Sequence, residues 1–477
     1  MKPHMVMDVE VPNLPLERLG PLIGNDRLAS IQIRGRAFKE NLHGRRIWNV
    51  NSTAAGGGVA EMLRSLVGYT RQAGIDARWV VISGDPEFFR ITKRLHNQLH
   101  GLPGDGGPLA AAESAHYVSV MEQNLPGLRE RIRPGDVVLL HDPQTAGFVE
   151  TLKGLGAIII WRCHIGTNQH NEWTESAWNF LRPFISTADA FIFSRRDYVP
   201  EWIDPSHVSI IPPSIDPFSP KNQEIDDVNV QRILATIGLL APESDQEPGV
   251  FTGYDGLGHY VRDVAEIISD ATPLDPAIPL VVQVSRWDGL KDMKGVMVGF
   301  AEGVAPRSDA HLALIGASVG DVSDDPEGAE VLARCTDTWE HLPSEIRARI
   351  HLVSLPMDDL DQNAAMVNAI QRHATLIVQK SLVEGFGITV AEGLWKSKPM
   401  VASAVGGIQD QIVDGAGVLL NDPYDLVAYG DAVASLLLDP NEMKRLGQNA
   451  HEHILATFIG DTHLLRYVDL IESLLQP

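Results

Sequence analysis

With 477 residues, the chain is too long for a single hydrophobic core and predicts two or three domains. Its 62 acidic and 39 basic residues give a formal net charge of −23, which disfavours nucleic acid and anionic membranes as partners. The two cysteines, Cys163 and Cys335, exclude a disulfide framework, so we expect a protein of the reducing cytoplasm.

The chain opens with about forty residues that predict a helical lead-in. Its first stretch, "MKPHMVMDVEVPNLPLERLG", lacks the basic flank, apolar run and small-residue cleavage site of a signal peptide. The sequence contains no run of eighteen apolar residues, so we expect no membrane-spanning helix.

After the lead-in, short apolar strands alternate with amphipathic helices. The predicted strands are "RRIWNVNS" (45–52), "ARWVVISG" (77–84), "DVVLLHDP" (136–143), "AIIIWRCH" (157–164) and "AFIFSRR" (190–196). Continuously apolar strands between helices are typical of a parallel sheet that is covered on both faces. Residues 1–215 are therefore predicted to form an N-terminal Rossmann-like domain.

The second half of the chain repeats this organisation after a break. The proline-rich segment 210–222 predicts a linker, and residues 223–276 predict an irregular insertion. Alternation restarts at "PLVVQVSR" (279–286), so residues 216–455 predict a second Rossmann-like domain. A final helix, about 456–477, is expected to return to the first domain. The predicted fold class is α/β, with two doubly wound domains facing each other across a cleft, where ligands bind beyond the carboxyl ends of the strands.

A glycine triplet, Gly56, Gly57 and Gly58, follows the first predicted strand in "NSTAAGGGVAEM". Backbone amides at such a turn can hold an anion at the start of the next helix, although a simple tight turn uses the same residues. The pattern is neither G-x-G-x-x-G nor a P-loop, and no acidic residue stands at the strand end where a dinucleotide fold holds ribose.

The loop after the strand at 279–286, "VSRWDGLKDMKG", carries two candidate phosphate-binding cations. Arg286 ends the strand and Lys291 follows five residues later, so both are expected at the carboxyl edge of the sheet. Arginine can hold phosphate oxygens in a fork, and lysine can act as a point charge. Asp288 and Asp292 are interpreted as loop and helix-capping residues.

Two glutamates, Glu384 and Glu392, flank a Gly-Phe-Gly sequence in "KSLVEGFGITVAEGLWKSKPMVASAVGG". Gly385 and Gly387 can present amides to a diphosphate at the start of the predicted helix. A carboxylate accepts strongly from hydroxyl groups, so Glu392 suits a ribose diol and Glu384 suits a sugar. A second glycine pair, residues 406–407, predicts either another phosphate contact or a turn.

Histidines at strand ends give further candidates. His164 ends one predicted strand, and His141 with Asp142 ends another, so a site and a structural role are both open. No His-x-x-x-His, Cys-x-x-Cys or Asp-x-Asp pattern indicates a metal site. Mg²⁺ is compatible with a diphosphate ligand, but no ligand motif implies it.

These elements, taken in order, resemble the retaining GT-B glycosyltransferases of family 4. The segments that carry the resemblance are "VNSTAAGGGVAEML", "LHDPQ", "WRCHIG", "PPSIDP", "QVSRWD" and "VEGFGITVAEGLWKSKPMVASAVGGIQDQIVDG". Within the family they look like the trehalose glycosyltransferring synthases, and the similarity runs over most of residues 40–475. It implies transfer of glucose from a nucleoside-diphosphate glucose to free glucose, without a required cofactor.

The resemblance also implies roles for the donor-side residues. Arg286 and Lys291 would neutralise the diphosphate, and Glu392 would hold the ribose. Glu384, with the amides of Phe386 and Gly387 next to Gly385, would hold the donor glucose.

On the acceptor side, the resemblance places His141, Asp142 and Gln144. His164 would lie near the reacting carbon, and the loop Gly56–Gly58 would close over phosphate and acceptor. The chain departs from the family pattern in a longer stretch after the linker and in Gly166, which stands where an acid is common, so a different acceptor stays open.

Several functions stay open at this point. The first is retaining transfer, in which the leaving phosphate takes the acceptor's proton and closure of the two domains excludes water. A retaining trehalose phosphorylase, a different acceptor, and a protein that only senses nucleotide sugar are the alternatives. A nicotinamide-dependent oxidoreductase lacks its fingerprint. The expected partners are small-molecule sugars, not nucleic acid or membrane, and a homodimer is left open.

Overall fold

The computed structural model describes residues 6–54, 57–242, 247–319 and 326–475. The chain divides into two compact units. The first unit runs to Ser214 and also takes in the chain from Phe458 onward, while the second spans Ile215–Thr457. Within the described ranges, no helix is both long and apolar enough to cross a membrane.

The first unit is built on a seven-stranded sheet. Its strands are β1 (Met7–Asp8), β2 (Ile47–Asn51), β3 (Ala77–Val81), β4 (Val137–His141), β5 (Ile158–Cys163), β6 (Ala190–Phe193) and β7 (Val208–Ile210). Its helices up to Ser214 are α1 (Gly20–Asn41), α2 (Gly58–Gln72), α3 (Pro86–Leu99), α4 (Ala111–Arg131), α5 (Val149–Gly154) and α6 (Glu172–Ile185).

The strand order in this sheet is β1-β3-β2-β4-β5-β6-β7, and all neighbours are parallel except β1 and β3. Every residue of β2 and β4 is buried, because separate apolar clusters cover the two faces of the sheet. From β2 the strand order runs outward through β3 on one side and through β4 to β7 on the other, so the carboxyl ends of β2 and β4 form the switch point where doubly wound sheets bind ligands.

The second unit contains a seven-stranded sheet and a small hairpin. Its strands are β8 (Val250–Thr252), β9 (Gly258–Tyr260), β10 (Glu266–Ile268), β11 (Leu280–Val284), β12 (His311–Ala317), β13 (Ile350–Leu355), β14 (Leu376–Gln379), β15 (Met400–Ser403) and β16 (Val418–Leu420). Its helices are α7 (Asp227–Thr236), α8 (Met293–Gly299), α9 (Pro326–Glu340), α10 (Ser344–Arg347), α11 (Leu360–His373), α12 (Ile388–Trp395), α13 (Ile408–Gln411), α14 (Leu426–Leu437) and α15 (Pro440–Thr457).

The large sheet of this unit has the order β10-β13-β12-β11-β14-β15-β16. When β11 is counted as the first strand, the six strands from β13 to β16 have the Rossmann order 3-2-1-4-5-6. All its strands are parallel except the edge strand β10, which runs antiparallel to β13. Its switch point lies between β11 and β14. The loop with Arg286 and the loop with Glu384 start there.

Residues 223–276, which were predicted to be an irregular insertion, contain regular secondary structure. This stretch contains α7 and three strands, and α7 packs against α11. β10 extends the large sheet, and β8 and β9 form a hairpin. The strands are three residues each, too short for their sequence pattern to stand out against the surrounding glycines and prolines.

The last helix, α16 (Gly460–Leu475), belongs to the first unit. It packs against α1 and α2. Arg27 holds it with two hydrogen bonds to the Asp461 carboxylate, of 3.0 and 2.9 Å, at the amino end of the helix. The carboxylate is buried and paired with a guanidinium in fork geometry, which fixes where this helix begins.

Candidate active site

The two loops at the switch point of the second unit are joined to each other. The buried side chain of Gln283, in β11, accepts from the Lys380 amide at 3.1 Å and donates to the Lys291 carbonyl at 2.7 Å. The Leu382 amide also donates to the Leu290 carbonyl at 2.7 Å. The loop after β11 and the loop after β14 are therefore held in one fixed arrangement.

Lys291 and Glu384 meet at this junction. Lys291 Nζ lies 2.6 Å from Glu384 Oε2, and the two side chains are 14% and 12% exposed. The Ser381 hydroxyl donates to the same carboxylate oxygen at 3.2 Å. One cation and one hydroxyl-binding carboxylate are thus placed side by side, with little solvent to screen them.

Arg286 lies in the same loop but is more accessible. Its side chain is 53% exposed, and its guanidinium donates to Asp288 Oδ2 at 2.8 Å. Asp288 is nearly buried and also accepts from the Leu290 amide at 2.9 Å, which caps the short turn Gly289–Lys291. The interpretation of Asp288 as a loop residue agrees with these contacts.

A buried ion pair between Lys380 and Asp292 lies next to Lys291, because Asp292 follows Lys291 in the chain. Lys380 is fully buried, and its ammonium contacts the carboxylate of Asp292. Asp292 caps α8 by accepting from the Gly295 amide at 3.1 Å, and it adopts a left-handed backbone with φ 46°. Such a conformation costs free energy and persists only when the surroundings hold it. The pair therefore fixes the residue next to Lys291.

We expect Lys380→Met to lower the free energy of unfolding by about 3 kcal/mol, because it leaves the Asp292 carboxylate without its buried counterion. Urea unfolding followed by tryptophan fluorescence measures this. The double variant Lys380→Met/Asp292→Asn should regain about half of the loss, since asparagine keeps the helix cap and tolerates φ > 0. Wild-type stability in the single variant would contradict the role of the pair.

The Gly-Phe-Gly sequence directly precedes α12, which begins where the sequence predicted a helix. Gly387 precedes the helix in a left-handed conformation with φ 79°, which favours glycine. The Gly385 carbonyl accepts from the Gly407 amide at 3.0 Å. A Cβ atom at Gly407 would come within 2.8 Å of Phe386 Cα, so a glycine is needed there to support this turn.

Glu392 lies in the second turn of α12 and is buried. Its Oε1 is 3.6 Å from Lys221 Nζ. Lys396, one turn later, donates to the Glu392 carbonyl at 3.1 Å and to the Gln371 side chain at 2.8 Å. Burial lowers the pKa of Lys396 to about 7, although the nearby Glu392 charge opposes the shift. The two glutamates thus contact different cations, Glu384 with Lys291 and Glu392 with Lys221.

Lys221 and Lys380 are the residues that the sequence interpretation missed. Lys221 is the single basic residue of the proline-rich segment "IIPPSIDPFSPKN", and that isolation is its one sequence signal. Lys380 directly follows the predicted buried strand that contains "LIVQ", where an ammonium group requires a partner. Both signals are visible only once a carboxylate is known to lie nearby.

The first unit has a polar cluster at its own switch point. His141 Nδ1 is 3.1 Å from His164 Nε2, and His141 Nε2 is 3.1 Å from Asn49 Oδ1. The two imidazole rings stack with centroids 5.4 Å apart. With the Asn49 oxygen as acceptor, His141 carries its proton on Nε2 and accepts from His164.

Asp142 anchors this cluster. It has φ 63° and ψ 178°, a region that side chains rarely adopt and that is concentrated at functional sites. Its Oδ1 accepts from the His164 amide at 2.7 Å, and its own amide donates to the Arg162 carbonyl at 2.8 Å. The strained backbone is therefore held by one contact to Arg162 in β5 and one to His164, which follows that strand.

The protonation states in the cluster follow from burial. Desolvation lowers the pKa of His141 to about 3 and that of His164 well below its usual value, and the charge of buried Arg162 adds to both shifts. Part of the Asp142 side chain is exposed, yet its carboxyl is surrounded by protein atoms, and this raises its pKa to about 7. Both histidines are consequently neutral at physiological pH.

The remaining predicted residues that the structure describes, Gly57, Gly58 and Gln144, lie at a helix start or in a helical turn. Gly57, with φ 83°, precedes α2, and Gly58 is its first residue, while Gly56 lies outside the described residues. Gln144 is half-buried in the short helical turn Pro143–Phe148. Among the residues that the structure describes, no group of three or more metal-ligating side chains occurs.

Two protein-family models match this chain, one in each unit. A family described as "Trehalose synthase, N-terminal domain" matches residues 49–200, and "Glycosyl transferases group 1" matches residues 360–453. A trehalose synthase of Pyrococcus horikoshii is 34% identical over 96% of both chains. A trehalose phosphorylase of Grifola frondosa is 25% identical over 85% of this chain and 54% of its own.

The fold has relatives among solved structures. An α,α-trehalose 6-phosphate synthase from Burkholderia multivorans superimposes with a TM-score of 0.64 at 15% identity, over 90% of this chain and 99% of that one. This likeness, with two Rossmann-like units, confirms the predicted GT-B fold. Because the identity to trehalose synthases extends over nearly the whole length, the chain belongs to the trehalose synthase family of glycosyltransferases.

Proposed function

We propose that the chain is a retaining glucosyltransferase that makes trehalose, reversibly, from a nucleoside-diphosphate glucose and free glucose. The observation that carries the proposal is the close pairing of Lys291 with Glu384 at the switch point of the second unit, beside Arg286 and the start of α12. Cations and helix-start amides suit a diphosphate, and the carboxylate suits sugar hydroxyls.

In the proposed reaction, the bond between the glucose C1 and the diphosphate oxygen breaks. Arg286 and Lys291 stabilise the negative charge that develops on the leaving oxygen. The acceptor hydroxyl oxygen forms its bond to C1 on the face from which the diphosphate leaves, and its proton passes to a leaving phosphate oxygen. Glu384 accepts from hydroxyls of the donor sugar and orients the ring.

The other proposed contacts divide between the two units. In the second unit, Glu392 accepts from the ribose diol of the donor. In the first, Asp142 and Gln144 bind acceptor hydroxyls beside His141. His164, neutral because of burial, contributes hydrogen bonds and adds no further charge next to the sugars.

A trehalose phosphorylase is the second candidate, since a protein of that name is 25% identical over 85% of this chain. It would use glucose 1-phosphate and release phosphate. Glu392 favours the nucleotide donor over glucose 1-phosphate. A ribose diol can donate to this buried carboxylate, whereas glucose 1-phosphate carries no ribose.

A donor-by-acceptor matrix read by mass spectrometry tests the proposal. UDP-, ADP- and GDP-glucose and glucose 1-phosphate are each combined with glucose, other hexoses and polyols. We expect a disaccharide of two glucose units and release of nucleoside diphosphate. If glucose 1-phosphate is the one donor in the matrix that gives a disaccharide, the phosphorylase is established. Absence of any transfer product would overturn both candidates.

We expect the KM for acceptor glucose to rise about tenfold as the pH falls from 8 to 6. The pKa of Asp142 is raised to about 7, so its carboxyl gains a proton over this range and loses acceptor strength towards hydroxyls. Initial rates at saturating donor measure the effect. In Asp142→Asn the KM should be high and independent of pH, whereas a flat wild-type profile would contradict the assignment.

A further inference from the structure

Lys221 belongs to a short turn that is fixed on both sides of it. The Pro220 carbonyl accepts from Asn368 Nδ2 at 3.0 Å, and the Asn222 carbonyl accepts from Trp395 Nε1 at 3.1 Å. The Asn222 side chain, itself buried, also accepts from Lys396 Nζ at 3.1 Å. The backbone of Lys221 is therefore held against α11 and α12, and its position does not depend on the side chain.

The Lys221 side chain reaches the Glu392 carboxylate. Their atoms are 3.6 Å apart, Lys221 is 16% exposed and Glu392 is 1% exposed. At this distance the contact is ionic and longer than a hydrogen bond, so it balances charge without occupying a close acceptor position of the carboxylate. Lys396, by contrast, donates to the backbone carbonyl of Glu392.

A buried carboxylate that accepts from two hydroxyls must stay ionised and correctly oriented. We propose that Lys221 is a positioning residue for the donor ribose: it keeps the Glu392 carboxylate charged and directed towards the 2′- and 3′-hydroxyls of a nucleoside diphosphate. This inference rests on the proposed function, because it takes Glu392 as the residue that binds ribose.

The test compares ribose with a sugar that lacks the diol. Binding of UDP, ADP and GDP to the full chain is measured by titration calorimetry, and the tightest is then compared with its 2′,3′-dideoxy analogue. The wild type should bind the ribonucleotide at least tenfold more tightly. Lys221→Met should lose most of that preference by weakening the ribonucleotide about tenfold, with the dideoxy analogue within twofold. Lys221→Arg should restore it.

Arg372→Met is the matched control. Arg372 is 14% exposed and holds the same turn by donating to the Gln223 carbonyl at 2.8 Å and pairing with Glu224 at 2.9 Å. If Lys221→Met acted only by loosening the turn, Arg372→Met would abolish the preference for ribose as well, and that result would overturn the proposal.

The outcomes distinguish a failure of the role of Lys221 from a failure of the proposed function. Equal binding of the two nucleotides by the wild type, or no binding of any nucleoside diphosphate, would overturn the proposed donor site and the inference with it. Loss of preference in Glu392→Gln with full preference in Lys221→Met would overturn the role of Lys221 alone.

Discussion

We expect Arg286→Ala to lower kcat by a factor of about 10²–10³, with a smaller change in the KM for the donor. The reason is the placement of Arg286 at the carboxyl end of β11, where half of its side chain is accessible and its partner Asp288 is shared with the loop backbone. A guanidinium there can stabilise the negative charge on the leaving oxygen, which develops only as the bond to the leaving group breaks. Steady-state rates of nucleoside-diphosphate release measure the effect.

Arg445→Ala is a suitable control for this prediction. Arg445 is also 53% exposed and donates to a carboxylate, that of Glu442, but it belongs to α15 and to neither of the two loops at the switch point. It should keep wild-type turnover. Arg286→Lys should recover part of the lost rate, because lysine supplies the charge but not the fork of donors. Turnover within twofold of wild type in Arg286→Ala would remove this residue from the mechanism.

The sheets and their switch points could be predicted because their strands are locally encoded. The segment "PLVVQVSR" is apolar up to Val284 except for Gln283, and β11 ends two residues before Arg286. The same holds for β4, whose five residues are all buried and which ends at His141. Once such strands are assigned to a parallel sheet, the residues that follow them are placed at one edge.

The contacts within the site could not be predicted, because they depend on which strands become neighbours. Lys380 meets Asp292 across 88 positions, and Lys221 reaches Glu392 from a segment whose prolines predict a linker. The Asn49 contact to His141 requires β2 and β4 to be adjacent, although β3 separates them in the chain. Local patterns carry no information on such pairs.

We expect Glu384→Gln to affect two measurements in opposite directions. It should lower kcat by a factor of about 10²–10³, because the donor sugar loses a charged acceptor in the transition state. It should also tighten binding of the nucleoside-diphosphate product by about tenfold, or ~1.4 kcal/mol. Glu384 Oε2 lies 2.6 Å from Lys291 Nζ, so the carboxylate competes with phosphate oxygens for the same ammonium. Pre-steady-state kinetics and titration calorimetry measure the two effects.

Lys291→Met and the double variant complete the cycle. Lys291→Met alone should weaken product binding, since the diphosphate loses a counterion and Glu384 then repels it. In Lys291→Met/Glu384→Gln the repulsion is gone, so product should bind more tightly than to Lys291→Met but less tightly than to Glu384→Gln. Glutamine keeps the length of the side chain and its contact to Ser381, which isolates the charge from the shape. Weaker product binding in Glu384→Gln would mean that the carboxylate orders Lys291 for the phosphate and does not compete for it.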